Sequence, residues 1–237
     1  MYYYDSTYIL LIIGAAITLL ASIKVNFTFN KYKYKRIASD ITGAQAAEMI
    51  LRLYGVNDVC INRIPGTLND NYDPASRSLN LSAGVYDMPT IASVAVAAHE
   101  CGHAIQHNTG YAPLTLRTAI FPLANIGTKI GIPLVMISWI FGLEFQMPGG
   151  TYFSLATLGI WIFSMAIVFQ LITLPVEFDA SARALQILRT ERLLDEEEMK
   201  GASSILFAAA LTYVAAAASS VLQLIRLILL NDRRGRR

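Results

Sequence analysis

The feature that most constrains this chain is a set of long apolar runs. About Tyr8 to Ile23 contains no charged side chain. A signal peptide would want a basic start, but Met1–Thr7 has no Lys or Arg, whereas Lys24, Lys31, Lys33, Lys35 and Arg36 follow the run. That asymmetry predicts a retained membrane anchor over residues 1–23, with its basic flank in the cytoplasm. A second run, about Ala119 to Leu143, is long enough to cross a ~30 Å hydrocarbon core, although Pro122, Asn125, Lys129 and Pro133 interrupt it. Gly127 and Gly131 stand one helical turn apart and suit close helix packing, and Lys129 lies near enough to one end to snorkel. A third run, Tyr152 to Leu174, has Gln170 as its one strongly polar interior residue. The link from Glu144 to Gly150 holds one acid and no base, so it is expected outside. Residues 119–174 then form a transmembrane hairpin whose two flanks share one side. A fourth run, 202–230, is alanine-rich and leads to Arg226, Arg233, Arg234, Arg236 and Arg237. Crossing would carry that basic tail outside, so the charge rule favours a helix on the cytoplasmic domain or at the interface, with a fourth crossing as the alternative.

Composition agrees with a multi-pass membrane protein. Hydrophobic residues are 54% and charged residues 15%, against about 25% charged in soluble domains, which excludes a disordered chain. Two cysteines cannot make a disulfide framework, and a net charge of +2 points away from nucleic acid.

Residues 24–118 form the largest polar region. Thr42 to Tyr54 reads as an amphipathic helix capped by Thr42 and stopped by Gly55. Three strand-like runs follow, Asp58–Ile64, Thr67–Tyr72 and Arg77–Ser82, with turn residues at Pro65-Gly66 and Asp73-Pro74-Ala75-Ser76. They predict a short antiparallel sheet. A helix starts at Pro89-Thr90, has a buried alanine-rich first half, and continues past His107 to Gly110. The expected fold class is therefore a mostly α membrane protein with a small α+β domain. Its catalytic region would be 24–118, and a cytoplasmic helical region would cover 175–237.

His99-Glu100-Cys101-Gly102-His103 is an H-E-x-x-H motif within that helix. Residues four apart share a helix face, so two imidazoles at this spacing can bind one Zn2+ ion, with Glu100 beside them as general base and acid. Such an ion lowers the pKa of a water and polarises a scissile carbonyl. A catalytic zinc needs a third protein ligand. His107 is one more turn along, but i, i+4 and i+8 drift by about 40° per step on a 3.6-residue helix, so it would reach only with strain. Thr109 stands where the metzincin pattern needs a histidine. Glu177 and Asp179 follow the third apolar run; Pro175 is expected to break that helix and a new one to start near Glu177. Two apart on a helix, the acids point about 200° from each other, so only one could be the ligand.

His99–His103 with Glu177-Phe178-Asp179-Ala180 resembles the membrane zinc metallopeptidases that pair H-E-x-x-H with a downstream E-F-x-A-D, the HtpX and CAAX prenyl protease groups. A closer resemblance, over nearly the whole chain, is to the YugP-type neutral zinc metallopeptidases of bacterial membranes. It is carried by Asn80-Leu81-Ser82, Ala98–His107 and Leu174–Ser181. The resemblance implies a gluzincin-like domain with zinc on His99, His103 and Glu177. Those families' final Asp falls here at Ser181, which leaves Asp179 or Asp87 to orient the ligand histidines.

Other residues read more plainly. Cys101 points away from the metal, and Cys60 and Cys101 both suit small apolar positions. Arg183 suits an ion pair, for instance with Glu191, better than an oxyanion role. Asp195–Glu198 suits a helix start. The strand holding Asn80 could pair with an extended substrate. Together these predict a multi-pass cell-membrane zinc endopeptidase with its site near the cytoplasmic surface, acting on a polypeptide, including one from a membrane protein. The alternative is a non-catalytic membrane scaffold with a structural or vestigial metal site.

Overall fold

A computed structural model describes residues 5–146 and 152–235. Among them are seven helices and five short strands. In order these are α1 (Tyr8–Tyr32), α2 (Gly43–Leu53), β1 (Cys60–Ile64), β2 (Asn71–Asp73), β3 (Ser78–Ser82), α3 (Ala83–Tyr86) and α4 (Ile91–Asn108). Then follow α5 (Ala112–Phe141), β4 (Glu144–Gln146), β5 (Tyr152–Ser154), α6 (Leu155–Thr190) and α7 (Glu196–Gly235). The expected fold class holds: a mostly α chain with a small α+β part, and α1, α5, α6 and α7 each long and apolar enough to cross a membrane. The chain divides into two compact units, one built from Ala21–Thr115 with Leu174–Thr212, the other from the remaining described residues.

In the first unit, local chemistry sets the helix ends. Thr42 and Gln45 form a reciprocal capping box at α2, and Thr90 and Ser93 form one at α4. Gly55 (φ 71°) and Gly110 (φ 64°) supply the left-handed turns that stop the two helices. The buried face of α2, Ala46, Ala47, Ile50 and Leu51, joins the alanine-rich first half of α4 in one apolar core. Leu79 and Leu81 of β3, Leu188 of α6 and Ala202 and Ile205 of α7 complete it.

The three-stranded sheet has the order β1-β3-β2 and is mixed, not antiparallel throughout. β2 and β3 form the expected hairpin across Pro74–Arg77, but β1 pairs with β3 in parallel, Cys60 opposite Ser78 to Ile64 opposite Ser82. The physical reason lies in the link after β1. Residues 65–70 are long enough to cross two strand spacings, about 9–10 Å, and deliver β2 to the far edge, so Pro65-Gly66 is not a tight hairpin turn. β3 is consequently central and buried on both faces. Both of its edges are taken, which overturns Asn80's strand as a substrate-pairing edge; Asn80 instead accepts a hydrogen bond from Asn62 (3.2 Å).

In the second unit α5 and α6 pack through small residues. A Cβ on Gly127 would lie 2.6 Å from the Ile162 carbonyl oxygen, and one on Gly159 2.7 Å from that of Gly131, so the backbones touch as the glycine spacing predicted. β4 and β5 close the hairpin; Met147–Gly150 of its link lie outside the described residues. One expectation changes. α6 runs unbroken through Pro175, so Glu177 sits inside a long helix and not at the start of a new one. α7 is one continuous helix across the fourth run. Its first half contributes Met199, Ala202 and Leu206 to the core of the first unit, while its second half belongs to the other unit. There Arg226 and Arg233 pair with Asp5 ahead of α1 (3.7 and 3.5 Å), so the end of α7 lies beside the start of α1. Arg236 and Arg237 lie outside the described residues.

Candidate metal centre

α4 and the part of α6 after Leu174 bring the centre together. They approach unusually closely, because a Cβ on Gly102 would stand 2.7 Å from the backbone carbonyl oxygen of Ala180. Across this contact, His99, His103 and Glu177 offer three ligand atoms that all lie within 4.8 Å of one another. The Nε2 atoms of His99 and His103 are 3.4 and 3.5 Å from the same oxygen, Glu177 Oε2. Ligand atoms about 2.0–2.1 Å from a tetrahedral zinc lie about 3.4 Å from one another, so both distances are those of a zinc cage. Nitrogen and carboxylate donors are also the set zinc prefers. Among the described residues this is the one His/Cys/Asp/Glu group that could hold a metal ion.

Glu100 lies beside the cluster and outside it. Its Oε2 accepts the Tyr72 backbone N–H (2.9 Å), so the edge strand β2 runs alongside the motif helix. His107 is also outside the cluster and shares a hydrogen bond of 2.7 Å between Nδ1 and the Tyr72 hydroxyl, as the helical drift predicted. Asp179 points away from Glu177. Its Oδ2 accepts from Arg183 Nε (2.6 Å) and Gln106 Nε2 (2.8 Å), so Arg183 pairs with Asp179 and not with Glu191. Asp87 serves a surface pair with Arg63 (2.8 Å) and plays no part in the centre.

Three partners were not legible as such. Gln106 is fully buried, and its Oε1 faces His103 Nδ1 at 3.0 Å. Ser181 Oγ is 3.2 Å from His99 Nδ1. Tyr72 reaches both Glu100 and His107. Helical spacing held signals for the first two: Gln106 is three residues after His103, and Ser181 four after Glu177. Tyr72 gave none, because a strand's approach to a distant helix is set by tertiary packing.

Burial works against charging His103, but hydrogen bonds to Glu177 and Gln106 and the charge of Glu100 outweigh it and lift its proton affinity above the ordinary histidine value. Cys101 is buried with its Sγ toward the Ala47 carbonyl, and desolvation pushes its thiol far up, so it is an inert packing group. Cys60, in contrast to its expected apolar role, is exposed. The acids at 195–198 begin α7 as expected, with Asp195 Oδ1 accepting the N–H groups of Glu197 and Glu198.

The chain thus combines a candidate metal site of two histidines and a glutamate with four helices long and apolar enough to cross a membrane, and comparison with known proteins supplies the class. The model of the family described as "Putative neutral zinc metallopeptidase" matches residues 7–232, and the chain belongs to that family. The chain is similar to the "Putative membrane protease YugP" of Bacillus subtilis (strain 168), 42% identical over 226 residues that cover 94% of this chain and 96% of the relative. No solved structure matches.

Proposed function

We propose that this protein is a membrane-integral zinc endopeptidase. The observation that carries the reading is the convergence of His99 Nε2, His103 Nε2 and Glu177 Oε2 at zinc-cage distances beside Glu100, a carboxylate outside the ligand set. Zinc at this site would supply Lewis acidity toward a peptide carbonyl and a water. Glu100 is the proton carrier: it takes a proton from the attacking water and hands it to the leaving amine. Tyr72 N–H holds one oxygen of Glu100 and fixes the carboxylate's position. The substrate is an extended polypeptide, including segments of membrane proteins. β2, the edge strand of the sheet, lies beside α4 with its Tyr72 N–H engaged by Glu100. The basic run Lys31–Arg36 at the end of α1 supports a cytoplasmic site near the bilayer surface.

The test is metal content together with proteolysis in detergent-purified protein. About one zinc per chain is expected, with casein hydrolysis that stops on chelation and returns with zinc. Protein without zinc, or hydrolysis that ignores the chelator, would overturn the reading.

A further inference from the structure

We infer that Gln106 is the positioning residue of the metal centre, holding His103 in the tautomer and ring orientation that aim its Nε2 toward Glu177, and that Asp179 acts on the centre only through Gln106. This rests on the metal-centre reading above. The chemistry of the amide decides the assignment. Gln106 Nε2 lies 2.8 Å from the Val176 carbonyl oxygen and 2.8 Å from Asp179 Oδ2. Both are pure acceptors, so the NH2 end of the amide must face them, and the flipped amide would set its oxygen against two oxygens. Oε1 is therefore the atom that meets His103 Nδ1 at 3.0 Å. An acceptor there requires Nδ1 to carry the hydrogen, which leaves the lone pair on Nε2, the nitrogen 3.5 Å from Glu177 Oε2.

The arrangement is rigid as well as specific. Gln106 has no exposed surface and is tied at three points: His103 on its own helix, and Val176 and Asp179 on α6. Asp179 is held in turn by Arg183, whose guanidinium lies over the Tyr111 ring at 5.8 Å. A neutral amide thus stands where metal-bound histidines commonly meet a carboxylate or a carbonyl, and the carboxylate sits one hydrogen bond further out. His99 has a lighter support, the Ser181 hydroxyl at 3.2 Å, so the two histidines are held unequally.

The experiment is a zinc competition titration against a chromophoric chelator, with the visible spectrum of the cobalt-substituted protein as a second readout. Gln106→Ala is expected to weaken zinc binding by about 10–100-fold, with one ion still bound at saturation and an altered cobalt spectrum. Asp179→Ala weakens binding by a smaller factor. Asp179→Asn restores it, because an amide oxygen still accepts from Gln106 Nε2. In the Gln106→Ala background, Asp179→Ala adds nothing, as two residues acting in series require. Wild-type affinity and cobalt spectrum in Gln106→Ala would overturn the inference, and so would additive losses in the double variant. If Gln106→Ala does not fold, the partly exposed Asp179 carries the test, and an Asp179→Ala variant that binds like wild type overturns it. Failure of the wild type to bind zinc would instead sink the metal-centre reading itself.

Discussion

Glu100→Gln is expected to leave about one zinc per chain and to cut peptide hydrolysis by about 10²–10⁴-fold, the contribution of a positioned proton carrier. The substitution keeps the shape of the side chain, and the amide oxygen can still accept the Tyr72 N–H that Glu100 Oε2 accepts now. The ligand atoms of the cluster come from His99, His103 and Glu177 alone, so metal content has no reason to fall. What disappears is the carboxylate that carries the proton. Zinc analysis and hydrolysis of one peptide, measured on the same preparation, give the answer. Loss of zinc would make Glu100 a ligand, and retained hydrolysis would move the proton transfer to another group.

Gly102→Ala is expected to cost about 1–3 kcal/mol of stability and to weaken zinc binding severely. At an exposed helical position the same change stabilises by about 1 kcal/mol, so the sign itself is diagnostic. Here the new methyl group would stand 2.7 Å from the Ala180 carbonyl oxygen and 3.2 Å from its Cα and carbonyl carbon. These are backbone atoms of α6 and cannot swing aside as a side-chain tip would. Relief requires α4 and α6 to move apart, and with them His103 from Glu177, whose 3.5 Å separation a single ion must span. Thermal unfolding with and without zinc would register both effects. A variant that melts and binds zinc like wild type would show that the close contact of α4 and α6 at Gly102 does not hold the centre together.

The parts of the fold that were legible are those governed by near neighbours. Thr42 and Thr90 announced helix starts, Gly55 and Gly110 announced stops, and the H-E-x-x-H spacing put two imidazoles on one face. Glu177 was reached only through resemblance, because it and Asp179 are equivalent acids until α6 is placed against α4. Pro175 misled for a related reason. A proline removes one helical hydrogen bond, yet the helix continues where packing fixes its path, and Thr173, Val176 and Ala180 around it are buried here. The sheet misled because loop 65–70 has turn chemistry at its start but the length of a crossover. Gln106 went unnoticed since its spacing from His103 puts it near that ring but does not tell that its other end is held by α6.

The split origin of the centre also matters before the protein is complete. The two histidines lie on α4, and the third ligand group comes from α6, with all of α5 and the β4–β5 hairpin translated in between. A ribosome therefore releases the histidine pair a whole helical hairpin earlier than the carboxylate that closes the cage. During that interval the nascent polypeptide holds two of the three groups of the cluster. The order of synthesis therefore leaves the three-residue cluster incomplete until α6 has emerged.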